Sequence, residues 1–498
     1  MLRLYNSLTK KKEIFVLLSL KNKKQSQGKN KKIVTMYNCG PTVYDYVHLG
    51  NLRSFLFADL LRRYLEWKGY QVKQVMNITD VGHMRADIDV GEDKIEETAR
   101  RERKSPWAIA AFYTRAFFRD IRRLNIKPAW KYPRATQHIK EMVNLIEKLL
   151  KKRVAYQVNG SVYFDLSKFP RYGKLSGNTV TDLVAGGRVG LNPEKKNPYD
   201  FALWIEDSLH LMKWRAPWSI KGGYPGWHIE CSAMAMHYLG KTIDIHTGGE
   251  DNKFPHHECE IAQAESATGK TFVRFWLHVK HLLVEGQKMA KSLGNFYTLD
   301  DILQRGFSSK ALRYLLLSAH YRDTLNFTFD SLKSAEEAVK RLEELVLKLL
   351  WREKNFKKIK QLVLKDKQKR IRNIVRQLIK KTRQGFEEAL DDDLNTPQAL
   401  ACLFQFIQEL NVIFFEIQER KIIKAVRELL LDFDEVLGLG LEKIRFICPQ
   451  GIQKLAEDRE KARREKDWLK ADALREKIKK HGYLIEDTPV GWFIKKTD

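Results

Sequence analysis

Residues 48–51 read His48-Leu49-Gly50-Asn51, between a β-prone stretch and an apolar helical one. A strand-to-helix turn is where backbone N–H groups and the helix dipole meet phosphate. A histidine beside glycine in such a turn can donate to a phosphoryl oxygen as charge builds on it. The same four residues also suit a histidine that merely caps a helix. Residues 288–292 read Lys288-Met289-Ala290-Lys291-Ser292, bracketed by Gly286 and Gly294. Two lysines three apart in a glycine-flanked loop can close over a triphosphate, although a solvated basic loop would look alike.

A third block, residues 254–260, carries His256 and Glu260 four apart on one helix face, with Cys259 as a rival donor. Cys231 lies upstream and Cys39 far upstream. Two thiolates, an imidazole and a carboxylate form a plausible zinc set, but no local CxxC fixes it, and each cysteine taken singly suits a core. Gly248-Gly249-Glu250-Asp251 follows a strand-like stretch and reads either as a close approach to a nucleotide or as a tight turn.

These groups need elements to hold them. Residues 33–37 suggest a strand, residues 52–67 a helix ended by Gly69, and residues 70–78 a second strand. That βαβ order implies an α/β domain with a parallel sheet. Helical spacing recurs over 106–124. Residues 125–200 are mixed, with a short strand at 161–164 and a glycine-rich stretch at 185–190, and read as an insertion. Strand character returns at 242–246 and 272–279. After about residue 298 helices are expected throughout: a face at Ala335, Val339, Leu342, Val346 and Leu349, a helix start at Asn395-Thr396-Pro397, an apolar run over 399–415, and one charged helix over 455–479. A short strand-like piece ends the chain at 491–495.

The 498 residues suggest about three domains. The net charge is +28, which favours a polyanionic partner, nucleic acid first. Six lysines and no acid fill residues 21–32, read as a solvated loop. Residues 354–383 hold thirteen Lys/Arg against one acid. Five scattered cysteines exclude a disulfide scaffold and suit a reducing, cytoplasmic setting. No apolar run is expected to approach the roughly 20 residues of a membrane span, and no signal peptide is read.

In order along the chain, CGPTVYDYVHLGNLRSF (39–55), NITDVG (77–82), DFALW (200–204), PGWHIECSAM (225–234), DIHTGGEDNKFPHHECEIAQ (244–263), KMAKSLGNF (288–296), DDDLNTPQAL (391–400) and KDWLKADALREKI (466–478) resemble the cysteinyl-tRNA synthetases, class I aminoacyl-tRNA synthetases. The resemblance implies a Rossmann-like parallel-sheet catalytic domain with an insertion, followed by an α-helical bundle and a small C-terminal domain. The expected boundaries are 1–120 and 206–297 for the two catalytic halves, 121–205 for the insertion, 298–350 for a stem-contact linker, 351–440 for the bundle and 441–498 for an anticodon-binding unit. The signature residues would be His48, Asn51, Lys288 and Lys291. Zinc would sit on Cys39, Cys231, His256 and Glu260, which disfavours Cys259. Thr79, Trp227 and His246 would line the amino-acid pocket. Gly50, Gly248, Gly249, Asp251 and Lys291 would meet ATP, which enters with Mg²⁺. The implied partners are cysteine, ATP and tRNA(Cys), with no membrane, and a monomer is expected.

Three departures stand out. Asn51 replaces the second histidine of the HIGH signature, and Ala290 replaces the serine of KMSKS. Residues 82–95 are longer than the short family form, and His83 in them could approach the pocket or sit in a surface loop. Two other readings compete. A ligase passing cysteinyl adenylate to an amino-sugar would lack most of residues 350–498. An RNA-binding relic would have no reason to keep both signatures and all four zinc positions. Methionyl-type synthetases share the class but not this metal set.

Overall fold

The computed structural model describes residues 1–18, 32–82, 93–178, 192–290, 293–356 and 365–497. Two compact units emerge: Met1–Leu332 with Asp391–Leu394, and Lys333–Leu390 with Asn395–Asp498.

The first unit is built on four parallel strands. β1 (Ile33–Asn38), β2 (Gln71–Met76), β3 (Ile243–Gly249) and β4 (Val273–Val279) lie in the order β4-β3-β1-β2. Their buried residues run continuously toward the C-terminal ends, as strands covered on both faces require. From β1 the chain crosses to β2 on one side and later returns to β3 on the other. The gap between the ends of β1 and β3 is therefore the topological switch point, where such sheets bind ligands. α1 (Leu49–Trp67) follows β1, α2 (Trp227–Leu239) precedes β3, and α3 (His256–Thr268) joins β3 to β4. Cys39 follows β1 directly, Cys231 lies in the second turn of α2, and His256 opens α3.

The insertion is an antiparallel sheet of Ala155–Val158, Ser161–Phe164, Phe201–Glu206, Ser219–Pro225 and Trp214–Ala216, in that spatial order. It runs on to Pro225, past the expected end at 205. Its last two strands are a three-residue piece and a longer one interrupted by Gly222-Gly223, so they lack the alternation that marks a strand in sequence. The glycine-rich stretch at 185–190 lies outside the described residues, as does nearly all of the basic segment at 21–32.

Strands also persist past residue 298: Leu325–Phe327 pairs in parallel with Leu282–Val284. Three residues are too few to show a period.

The second unit packs the helices Lys365–Asp391, Thr396–Ile413 and Arg420–Leu437 with most of Phe329–Asn355. Phe386 stacks on Phe433 at 4.0 Å. Thr396–Glu416 is, against expectation, long and apolar enough by length and composition to cross a membrane. Its residues Leu400, Leu403, Phe406, Ile407 and Leu410 form one stripe that is buried within the unit, the pattern of a core helix. The single charged helix expected over 455–479 is two, Gln450–Arg464 and Trp468–Lys480. Lys466 turns left-handed at φ 60°, and Asp467 caps the second helix by accepting from Lys470 N at 3.0 Å. The chain ends in a hairpin, Tyr483–Thr488 with Gly491–Lys496.

Candidate active site

α1 begins with a reciprocal cap. His48 Nδ1 accepts from Gly50 N at 3.1 Å and Asn51 N at 3.3 Å, while Asn51 Oδ1 accepts from His48 N at 3.1 Å. Because Nδ1 accepts, the proton of the neutral ring lies on Nε2. Gly50 permits this fold-back, since a Cβ there would meet the His48 ring at 2.9 Å.

A cleft of about 390 Å³ opens over this turn. Its walls bring together His48, Gly50, Asn51, Lys288, Thr79, Trp227, Cys39, Cys231, His256, Gly249 and Asp251, all named from sequence. Asn295 braces the Lys288 loop, accepting from Ala290 N at 2.8 Å and donating to the Lys288 carbonyl at 3.2 Å. Lys291 and Ser292, like His83, lie outside the described residues.

At the cleft's inner end, single donor atoms of Cys39, Cys231, His256 and Glu260 all lie within 4.8 Å of one another. His256 Nε2 is 3.0 Å from Glu260 Oε1, and Cys39 Sγ is 3.8 Å from that oxygen. A tetrahedral ion with bonds of about 2.0–2.3 Å sets donor separations of about 3.3–3.8 Å; the Cys39–Glu260 spacing and this S₂NO set fit zinc, while His256 and Glu260, at 3.0 Å, would part slightly to admit it. A second group, Cys39, His246, His257 and Glu260, is equally tight. However, His246 and His257 are fully buried and absent from the cleft wall. Only the first group has three of its four donors on the cleft wall, where a substrate thiolate could reach a held ion as a fifth ligand. Cys259 turns the other way, its sulfur 3.4 Å from Tyr172 Oη.

The charges match a cation site. Burial pushes the Cys231 thiol up, but Cys39 and His256 bring it down to about 7. Burial lowers His256, yet Cys231 and Glu260 lift it to about 10. Glu260 resists its burial and is held at about 2 by His246 and His256. Burial, with Cys231 and Glu260 close by, holds the Cys39 thiol well above its usual range. The group thus favours a positive charge beside Cys231 and Glu260, the charge that a metal ion would supply instead.

Around these groups lies a shell of which sequence reasoning named Thr79 and Trp227 but not His228, Glu230, His257 or His278. His228 Nδ1 is 2.9 Å from His256 Nδ1, and His257 Nδ1 is 2.8 Å from His278 Nε2. Thr79 Oγ1 donates to Glu230 Oε2 at 3.0 Å. Trp227 lays its ring 4.4 Å from that of His256. Two expectations shift. His246 does not line the pocket; it stands behind Glu260, with Nε2 2.9 Å from Oε2. Gly248 does not face the cleft either; a Cβ there would strike His257 Cε1 at 2.7 Å. Both sit in a strand whose alternation sends these residues inward. The adjacent histidines at 256 and 257 were the one signal in sequence for part of this shell.

Three family models match: the class I (C) tRNA synthetase catalytic domain over residues 25–337, the DALR domain over 385–442, and the cysteinyl-tRNA ligase anticodon binding domain over 448–493. The chain is 40% identical to a cysteine–tRNA ligase of Chlorobium chlorochromatii over 99% of both chains. It is 41% identical to one of Caldicellulosiruptor saccharolyticus over 99% of this chain and all of the relative. The chain belongs to the cysteinyl-tRNA synthetase family. It is therefore an ATP-dependent ligase of the aminoacyl-tRNA synthetase kind. Its fold also resembles Mycobacterium tuberculosis methionyl-tRNA synthetase in complex with methionyl-adenylate, with a TM-score of 0.62 at 14% identity, over 83% of this chain and 93% of that one. Between such distant synthetases the shared property is the fold, while the donor set described above belongs to this chain's own geometry.

Proposed function

We propose that this cysteinyl-tRNA synthetase selects cysteine at a zinc ion held by Cys39, Cys231, His256 and Glu260, and charges tRNA(Cys) with it. The observation that carries the reading is the convergence of these four donors from three separate segments, with Cys39, Cys231 and His256 on the wall of the cleft that also holds His48. When bound, zinc supplies a soft Lewis-acid position that favours the substrate thiolate over the hydroxyl of serine.

Trp227 packs on His256 and narrows the entrance to that position, and Thr79 is locked by Glu230 on the facing wall. The cysteine carboxylate attacks the α-phosphorus of ATP, and pyrophosphate leaves. Asn51 holds the His48 backbone while His48 Nε2–H donates to the phosphoryl oxygens as their charge grows. Lys288 and Lys291, which follow β4 in sequence, neutralise the departing pyrophosphate, with Mg²⁺ as the nucleotide's partner. Gly249 and Asp251, at the end of β3, hold the adenosine side. The adenylate then esterifies the terminal ribose of the tRNA. Residues 351–440 and 441–498 serve as the bundle and anticodon-binding parts, and the chain works as a monomer in the cytoplasm, where Cys39 and Cys231 remain thiols.

The test is cysteine-dependent ATP–pyrophosphate exchange followed by charging of tRNA(Cys). Exchange with cysteine and neither serine nor methionine, then stable cysteinyl-tRNA, supports the reading. Equal exchange with serine rejects it. Product formed on an amino-sugar but not on tRNA would favour the competing ligase, which the DALR and anticodon-domain matches oppose.

A further inference from the structure

Lys94 opens the helix Lys94–Glu102 and reaches the wall of the catalytic cleft. Its backbone is fixed from several sides. Asp93 Oδ1 caps the helix, accepting from Ile95 N at 2.6 Å and Glu96 N at 2.9 Å. Asp93 Oδ2 is 2.9 Å from His210 Nε2, and Tyr224 stacks on His210 at 4.2 Å. Leu211 N donates to Glu96 Oε1 at 2.7 Å. The loop between the insertion's strands is thereby clamped on the first turn that carries Lys94.

The Lys94 side chain is half-buried, its ammonium 5.6 Å from the centre of the Tyr44 ring. Among the described residues no acid pairs with it. Lys280, another cleft cation, differs: Glu250 neutralises it at 2.9 Å. A half-buried cation on the wall of a substrate-sized cleft, with no carboxylate paired to it among the described residues, is matched to an anion that arrives with substrate.

Sheet order selects which anion. The phosphates of ATP are served by the start of α1, after β1, and by the loop after β4. The adenosine side falls at the end of β3. Lys94 follows β2, at the opposite edge, and strands lie about 4.8 Å apart. The carboxylate of cysteine must lie against the α-phosphate and so stays with the nucleotide. The anion left for the β2 side, beside the insertion, is a backbone phosphate of the RNA 3′ end. Resting on the function proposed above, we infer that Lys94 binds a 3′-terminal phosphate of the tRNA and so acts in aminoacyl transfer rather than in adenylate formation.

Lys94→Met keeps the apolar stem over Tyr44 and removes the charge; Lys94→Arg restores a cation. Both are compared with wild type in cysteine-dependent ATP–pyrophosphate exchange, and in single-turnover transfer from preformed enzyme-bound adenylate to tRNA(Cys). For Lys94→Met the expected result is a transfer rate lowered about 10- to 100-fold, the worth of one charge-assisted hydrogen bond, with exchange lowered less than about threefold. Lys94→Arg should recover most of the transfer. An equal fall in both reactions would assign Lys94 to ATP or cysteine and overturn the inference. So would unchanged transfer, which would leave only packing on Tyr44. Wild-type exchange with cysteine is the control: its absence would overturn the functional reading and Lys94's role together, whereas its presence confines any failure to Lys94.

Discussion

His48 and Gly50 act as one unit, because the ring that faces the cleft is also the cap of α1. Gly50→Ala would push a Cβ against that ring, 2.9 Å from its Cε1. Exchange should fall at least about tenfold through a tilted ring, while the melting temperature moves little; loss of the helix cap itself is worth only about 1 kcal/mol. Unchanged exchange would show that ring orientation is unimportant. In the metal cage, Cys231→Ser should cut zinc content, measured by elemental analysis, well below one ion per chain and raise KM for cysteine. Full occupancy in that variant would count against the donor set. These residues were legible in sequence because each lies in a short block of distinctive types. His228, His257 and His278 were not, since each gains its meaning from a partner on another element. Lys94 was hidden among 90 basic residues, and only the clamp from the insertion picks it out.

Elements hold the site through buried charge. On α1, Asp59 binds Arg63 at 2.8 Å and, from the helix Ser309–Leu317, Arg313 at 2.6 Å, and it accepts from Lys127 N at 2.8 Å. Burial opposes the Asp59 carboxylate, yet Arg313 and Arg63 hold it below its usual 3.8. Its stabilisation is therefore full above that value and is lost as pH falls below it. Asp59→Asn should cost about 3–5 kcal/mol near pH 7, because Arg313, 1% exposed, keeps its charge without a counter-ion. Thermal melts of wild type and variant should converge as the pH drops below 4; a gap independent of pH would contradict this. The βαβ order was readable from periodicity, since α1 and the central strands carry long apolar patterns. The insertion's late strands, Leu325–Phe327, and the break at Lys466 were not, because a three-residue strand or a one-residue left-handed turn leaves no periodic trace. In sequence, the run Asp391–Asp393 is legible only within the block 391–400. Asp391 meets the terminal amine at 3.0 Å, and Asp393 meets Arg322 at 2.7 Å, contacts across more than seventy residues that no local pattern records.

At the scale of the whole molecule, the proposed tRNA partner would meet a chain of net charge +28. The KM for tRNA should rise at least about tenfold between 50 and 200 mM salt, since binding releases counterions in proportion to the phosphates held. Exchange, which needs no RNA, should change far less; parallel salt curves would mean that the charge serves something other than tRNA. The domain order was legible because the blocks run in sequence from near one end to the other. How the chain divides into compact units was not, since Asp391–Leu394 joins the first unit from deep within the second half. The central claim is that a metal held by Cys39, Cys231, His256 and Glu260 chooses the amino acid. Its most direct test is the ratio of kcat/KM for cysteine over serine in ATP–pyrophosphate exchange, measured on native protein, on metal-stripped protein, and after zinc is restored. A preference of several orders of magnitude that collapses on stripping and returns with zinc is the predicted result; faithful discrimination by protein shown to be metal-free would contradict it.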